Sequence, residues 1–233
     1  MRIITIVTFI LLLASITTAQ NMEQNIPTKP QLIYVADPMC SWCYGFAPEY
    51  TRVVNYFKDD VDFSLIMGGL RPYNTETIDD NMHHFLKTHW LEISQRTGQP
   101  FAYGILEDST FVYDTEPAAR AVVVMRHMKP EIEFDFYKAV QAAFYADNKN
   151  TNETATFVSI AEQYNINGQE FRTKFESKEF KDLTRQDFMD AQGMGVRGFP
   201  TVLLKTGDEF QLISNGYTAS ENIIRKVDKL LKK

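Results

Sequence analysis

The spacing of apolar positions changes along the chain, and the changes divide it. Gln31-Leu32-Ile33-Tyr34-Val35-Ala36 is a continuous apolar and β-branched run closed by Asp37-Pro38, which predicts a buried strand. From Tyr44 to Phe57 the apolar residues Phe46, Tyr50, Val53, Val54 and Phe57 fall at near-helical spacing. Pro48 lies inside that run and predicts a kink or a later helix start. Val61 to Met67, ended by Gly68-Gly69, predicts a second strand. Strand, helix and strand in this order form a βαβ unit.

Strand signals then vanish. Ile78, Met82, Phe85, Leu86, Trp90 and Ile93 make one stripe at spacings of three and four, with Thr77 and Asp80 as its expected cap. Pro117 opens a helix reaching about Met128. Ile132, Phe136, Val140 and Phe144 repeat every four residues, and Phe157, Ile160, Ala161 and Tyr164 follow. A further helix is expected from about Ser177 to Ala191, and Phe101 to Asp114 is the least regular stretch. The aromatics Phe85, Trp90, Phe136, Phe144 and Phe157 sit at core spacing and read as packing residues.

Apolar runs return at Gly198 to Leu204 and at Glu209 to Ser214, separated by Lys205-Thr206-Gly207-Asp208, a hairpin pattern. Thr218 and Glu221 read as a capping box. Ile223, Ile224, Val227, Leu230 and Leu231 line one side of a last helix, with lysines in its final turns. The layout is therefore α/β: a βαβ half at 31–73, an all-helical insertion at 74–194 and a ββα half at 195–233.

Composition adds exclusions. Apolar residues at 44% and charged residues at 23% are ordinary for a globular chain and exclude a fibre or a disordered tail. A net charge of −6 with scattered Lys and Arg gives no electrostatic footprint for nucleic acid. The amino terminus changes the setting. Arg2, an apolar run from Ile3 to about Ala14 and small residues ending in Thr17-Thr18-Ala19 predict a signal peptide over 1–19, cut after Ala19. The run is shorter than the ~20 residues of a membrane span. Polar residues 20–30 then read as a solvated lead-in, and the protein is expected to be periplasmic or secreted.

Export gives the two cysteines their meaning. Cys40 and Cys43 are the only ones, and an oxidising compartment favours their pairing. A bridge over so short a loop removes little entropy from the unfolded chain, so it is a poor staple. It is a good redox switch. Cys40 follows a strand and opens a helix, where unpaired N–H groups and the positive dipole end favour a thiolate. Cys40 is then the attacking thiol, and Cys43, one turn on, the resolving one. An inert disulfide or half a zinc site are the weaker readings of the same spacing. His83, His84 and His89 share a helix but not a face, so no metal is expected, and His127 stands alone. Asn152-Glu153-Thr154 is a glycosylation sequon only in a cell that glycosylates exported proteins.

Strand, CxxC, helix and a late Gly195-Val196-Arg197-Gly198-Phe199-Pro200-Thr201 segment before a hairpin resemble the thioredoxin fold. The helical insertion resembles its DsbA-like branch. The run from Asp37 to Pro48, with Cys40-Ser41-Trp42-Cys43 at its centre, is similar to FrnE-like protein-disulfide isomerases of that branch. The resemblance implies a cis bond at Pro200, with the Phe199 backbone open beside the cysteines as a strand-pairing site for substrate. It makes Ser41, Trp42, Phe199 and Pro200 the substrate-facing residues, and it implies no cofactor beyond the Cys40–Cys43 pair. Exported proteins become the substrates, with a membrane oxidase or reductase as redox partner. Arg197 is either a contributor of positive potential or simply solvated. One position departs from the family: a buried acid is common six residues before the first cysteine, and here Tyr34 stands there. Asp37 and water are left as candidates to handle the Cys43 proton. The alternative function is a redox-inert peptide-binding or chaperone module. Glutathione-using relatives of the fold generally rely on a single active-site Ser or Cys, which counts against that class.

Overall fold

A computed structural model describes residues 29–232. The expected signal peptide and most of the lead-in lie outside the described residues. Strand β1 (Gln31–Ala36) runs through the middle of the molecule, and Leu32, Tyr34, Val35 and Ala36 have no solvent exposure. Burial on both faces is why the run reads as continuously apolar rather than alternating. β2 (Asp62–Met67) pairs with it in parallel, Gln31 opposite Asp62 and Ala36 opposite Met67. β3 (Thr201–Thr206) pairs antiparallel on the other side, and β4 (Glu209–Asn215) closes the order β2-β1-β3-β4.

Alternate residues of the sheet serve different neighbours. Leu32, Tyr34, Ala36, Val202 and Leu204 join the main core with α1 (Ser41–Phe57) and α8 (Ser220–Leu231). Ile33, Val35 and Leu203 face the other way and pack with Ala191 of α7 (Lys178–Gly193) and with Val196.

Pro48 neither delays nor breaks α1, which begins at Ser41. The N–H that proline lacks would have served the Tyr44 carbonyl. That carbonyl instead accepts from Gln99 Nε2 at 2.9 Å, so the helix tolerates the proline.

The insertion holds α2 (Asp80–Thr97), a 3₁₀ turn (Gly104–Glu107), α3 (Glu116–Met128), α4 (Glu133–Tyr145), α5 (Thr154–Gln163), α6 (Gly168–Glu176) and α7. The cap of α2 is Asp79, whose carboxylate accepts the Met82 N–H at 2.7 Å, whereas Thr77 forms a β-bridge with Val112. Helix α6 is an element beyond the expected ones: Asn167 caps it by accepting the Glu170 N–H at 2.9 Å, and Phe171 and Phe175 are buried one turn apart. Phe85 corrects another expectation. It is 54% exposed and stacks on His89, while Trp90, Phe136, Phe144 and Phe157 are buried. At α8, Thr218 turns its hydroxyl to the Gly216 carbonyl at 3.4 Å, and the Ser220 N–H goes to Glu49 at 2.8 Å in place of a capping box.

Candidate active site

β1 delivers the chain into a turn, Asp37-Pro38-Met39, in which the Cys40 N–H donates to the Asp37 carbonyl at 3.1 Å. The Asp37 carboxylate is fully buried and accepts from the Met39 N–H at 2.8 Å and the Leu70 N–H at 2.7 Å. Burial pushes its pKa up to about 6, against the opposing pull of those two donors. Met39 is gripped from the insertion. Its carbonyl accepts from the Tyr145 hydroxyl at 2.6 Å and from the Tyr113 hydroxyl, and its sulfur accepts from Thr151 at 3.2 Å. The residue before the first cysteine is thereby fixed by side chains more than 70 positions away.

Cys40 is the N-cap residue of α1, with extended backbone (φ −86°, ψ 114°), and no side chain caps the helix. Its sulfur therefore sits at the end where helical N–H groups lack partners. Only 6% of the residue is exposed, against none of Cys43, and both thiols are free. The Cys40 thiol points at the Phe199 carbonyl at 3.7 Å, and the Phe199–Pro200 bond is cis. The loop is anchored by the Gly216 N–H donating to the Pro200 carbonyl at 2.7 Å. It also lies flat on Gly68, where a Cβ would stand 2.0 Å from Phe199 Cε1.

Cys43 lies deeper. Burial is the main cause that pushes its thiol well above the ordinary range; Cys40 and the Asp37 charge add to this, and the Asp37 N–H opposes them. Trp42 is clamped rather than loose. Its indole N–H donates to His89 Nε2 at 3.2 Å, and the Arg96 guanidinium lies 5.4 Å from its ring and 5.0 Å from that of Tyr217. Ser41 is half-buried beside it, and Arg197 is exposed at the entry to the proline loop. His83, His84 and His89 form no metal-binding group among the described residues.

The structure sets Cys40 against the Phe199 carbonyl and the cis Phe199–Pro200 bond, encloses Cys43 and Asp37, and leaves Ser41 and Trp42 half-buried at the start of α1. Tyr113, Tyr137, Tyr145, Gln141 and Arg96 are not marked by the sequence pattern, and His89 is marked there only as a discarded metal ligand, not as the acceptor for Trp42. The tyrosines carry core spacing, and nothing in a linear pattern marks a hydroxyl aimed at a distant carbonyl.

Residues 31–223 match the model of the DSBA-like thioredoxin domain. The chain belongs to that family. This DSBA-like chain is therefore a thiol–disulfide oxidoreductase on a thioredoxin fold with a helical insertion, as its motifs led us to expect. It is similar to a solved structure described as "putative protein disulfide isomerase from Nitrosomonas europaea", with 32% identity, 88% of this chain and 98% of that chain covered, and a TM-score of 0.82. It shares its fold with the cytosolic disulfide reductase DsbM from Pseudomonas aeruginosa at 23% identity, with 87% and 98% coverage and a TM-score of 0.72. No curated protein matches it significantly.

Proposed function

We propose that this DSBA-like protein is exported and exchanges disulfides with protein substrates, Cys40 attacking and Cys43 resolving. The observation that carries the reading is the depth difference at the helix start. Cys40 keeps a trace of exposure and lies 3.7 Å from the Phe199 carbonyl, and Cys43 is wholly enclosed. In the reducing direction the Cys40 thiolate attacks one sulfur of a substrate disulfide. The other substrate sulfur leaves as a thiolate and takes a proton. Cys43 then gives up its proton and attacks Cys40, forming the Cys40–Cys43 disulfide and releasing the second substrate thiol. The pair loses two electrons and the substrate gains them; the oxidising direction is the reverse.

Asp37 is the base this scheme assigns to the Cys43 proton, because its carboxylate is buried near that thiol and ionised at neutral pH. Phe199 and Pro200 offer backbone to an extended substrate segment, with Ser41 and Trp42 flanking it. Residues 1–19 direct export, and a membrane oxidase or reductase resets the pair. Insulin reduction by dithiothreitol tests the core of the proposal. Wild type accelerates it, Cys40→Ser does not, and Cys43→Ser accumulates a mixed disulfide through Cys40. Equal rates for wild type and Cys40→Ser, with peptide binding intact, would leave the redox-inert binding module instead. The Cys40–Cys43 reduction potential, measured against glutathione buffers, sets the direction of flow.

A further inference from the structure

Helix α1 starts without a cap of its own. No side chain accepts at its N-cap, and no acidic residue lies in its first turn. An N-cap side chain ordinarily accepts from the second or third helical N–H, here those of Trp42 and Cys43. Keeping that place for the Cys40 sulfur gives a thiolate its donors, but it leaves the first turn open to fraying. The turn must then be held from outside. Upstream, the Met39 carbonyl is held by the hydroxyls of Tyr113 and Tyr145. Downstream, Trp42 is held from α2, its indole N–H donating to His89 Nε2 at 3.2 Å. An indole N–H can only donate, so His89 Nε2 carries no proton. The imidazole is therefore neutral, with its proton on Nδ1, which faces Glu92 Oε2 at 3.9 Å. Phe85 stacks on the ring, centroids 4.8 Å apart and planes 23° from parallel, and so fixes its plane. That is a task for an aromatic that is 54% exposed and takes no part in the core. A second proton on the imidazole would set N–H against N–H and break the contact with Trp42.

We propose that neutral His89 is a positioning residue for disulfide exchange: it holds Trp42, and with it the first turn of α1 beside the Cys40 sulfur, and it lets go when protonated. The proposal rests on the attacking role given to Cys40 above and deepens it. His89 acts through Trp42, not on the sulfur. Arg96 adds a contact that does not depend on the state of His89. Its guanidinium meets the rings of Trp42 and Tyr217 at 5.4 and 5.0 Å, and those two rings lie 6.0 Å apart. Protonation of His89 thus frees the indole edge while the ring face keeps its cation, and the turn loosens without unfolding. The titratable and charged groups of this cluster are Glu92 and Arg96 on α2 itself and Tyr217 on the segment entering α8. Helix α1 brings the Trp42 indole, with Cys40 and Cys43 in the same turn.

The experiment reads the Trp42 indole N–H directly, by its proton–nitrogen correlation in the isotope-labelled full chain. Trp42 and Trp90 give two indole signals, and Trp42→Phe shows which one to follow. In wild type the Trp42 signal moves as pH falls from about 8 to about 5, the interval in which histidines change charge. In His89→Gln, whose amide oxygen accepts but does not titrate, the signal stays in place. In His89→Phe it lies at every pH where acid puts the wild-type signal. His84→Asn, on the same helix, leaves the wild-type titration unchanged. At about pH 8, insulin reduction falls roughly 2- to 10-fold in His89→Phe, the rate equivalent of one neutral hydrogen bond, and is largely restored in His89→Gln. A Trp42 signal that ignores pH in wild type, or moves alike in His89→Gln, overturns the proposal. So does a wild-type rate in His89→Phe. The indole signal needs no turnover, so a wild type inactive in exchange, which removes the catalytic reading, is told apart from a clamp that fails to form.

Discussion

Asp37 sits where burial and charge oppose each other. Its carboxylate has lost its water, and two backbone N–H groups only partly replace it, so the pKa rises from the ordinary 3.8 to about 6. The folded protein therefore holds this proton more tightly than the unfolded chain. Below about pH 4 both states are protonated and there is no penalty. Between about pH 4 and 6 the unfolded chain ionises first, and above about 6 the full cost, ~3 kcal/mol, is present. Urea unfolding across this range should show stability falling as pH rises. Asp37→Asn, neutral throughout, should lack that part of the slope, although it gives up one of the two acceptor oxygens. A slope identical in wild type and variant would show that Asp37 titrates as if exposed. The cysteines and Pro200 were legible because their meaning is local: a strand end, a helix start, a short spacing. Tyr113 and Tyr145 were not, because each is an ordinary core aromatic until the fold carries it to the Met39 carbonyl.

Among the elements, β2 is an edge strand of the sheet and yet is closed off. The Met67 N–H donates to Asp187 at 2.9 Å, and Arg126 donates to the Leu65 carbonyl at 2.6 Å while pairing with Asp187 and Glu133 at 2.8 and 2.6 Å. Three helices are thus tied to one strand edge, which also denies that edge to other chains. Arg126→Met removes the cation and leaves two enclosed carboxylates facing each other, a loss of ~3 kcal/mol seen as a lower urea midpoint. A loss under ~0.5 kcal/mol would mark the cluster as a solvated surface pair. Just past the same end of β2, Gly68 is a packing requirement. A methyl there meets the Phe199 ring, so Gly68→Ala should cost ~1–3 kcal/mol and slow insulin reduction by displacing the proline loop. Unchanged activity would mean that the loop position does not matter to exchange. Periodicity revealed the strands and most of the helices, since those depend on which positions are apolar. It missed what depends on a single partner: Gln99 rescuing the Tyr44 carbonyl beside Pro48, or Asp79 capping in place of Thr77.

For the whole molecule, the helical insertion looks separable in sequence but shares its core with the thioredoxin half. Tyr44 of α1 stacks on Tyr145 of α4 with ring centroids 4.8 Å apart, and Tyr34 of β1 meets Tyr137 of α4 edge-on at 6.1 Å. Buried residues of β1, α1, α3, α4, α5, α6 and α8 belong to one continuous cluster. An insertion packed this way cannot melt alone without exposing the underside of α1 and freeing Met39, so the two parts should unfold together. Trp90 reports the insertion, being fully buried against Phe101, Phe144 and Tyr145. In Trp42→Phe, Trp90 is the remaining tryptophan, and its emission should follow the same urea curve as far-ultraviolet circular dichroism, with one midpoint and one slope. If the Trp90 transition came first, the insertion would be a separately folding unit. The grip of Tyr113 and Tyr145 on Met39 would then open before the sheet is lost, taking the Cys40 geometry with it.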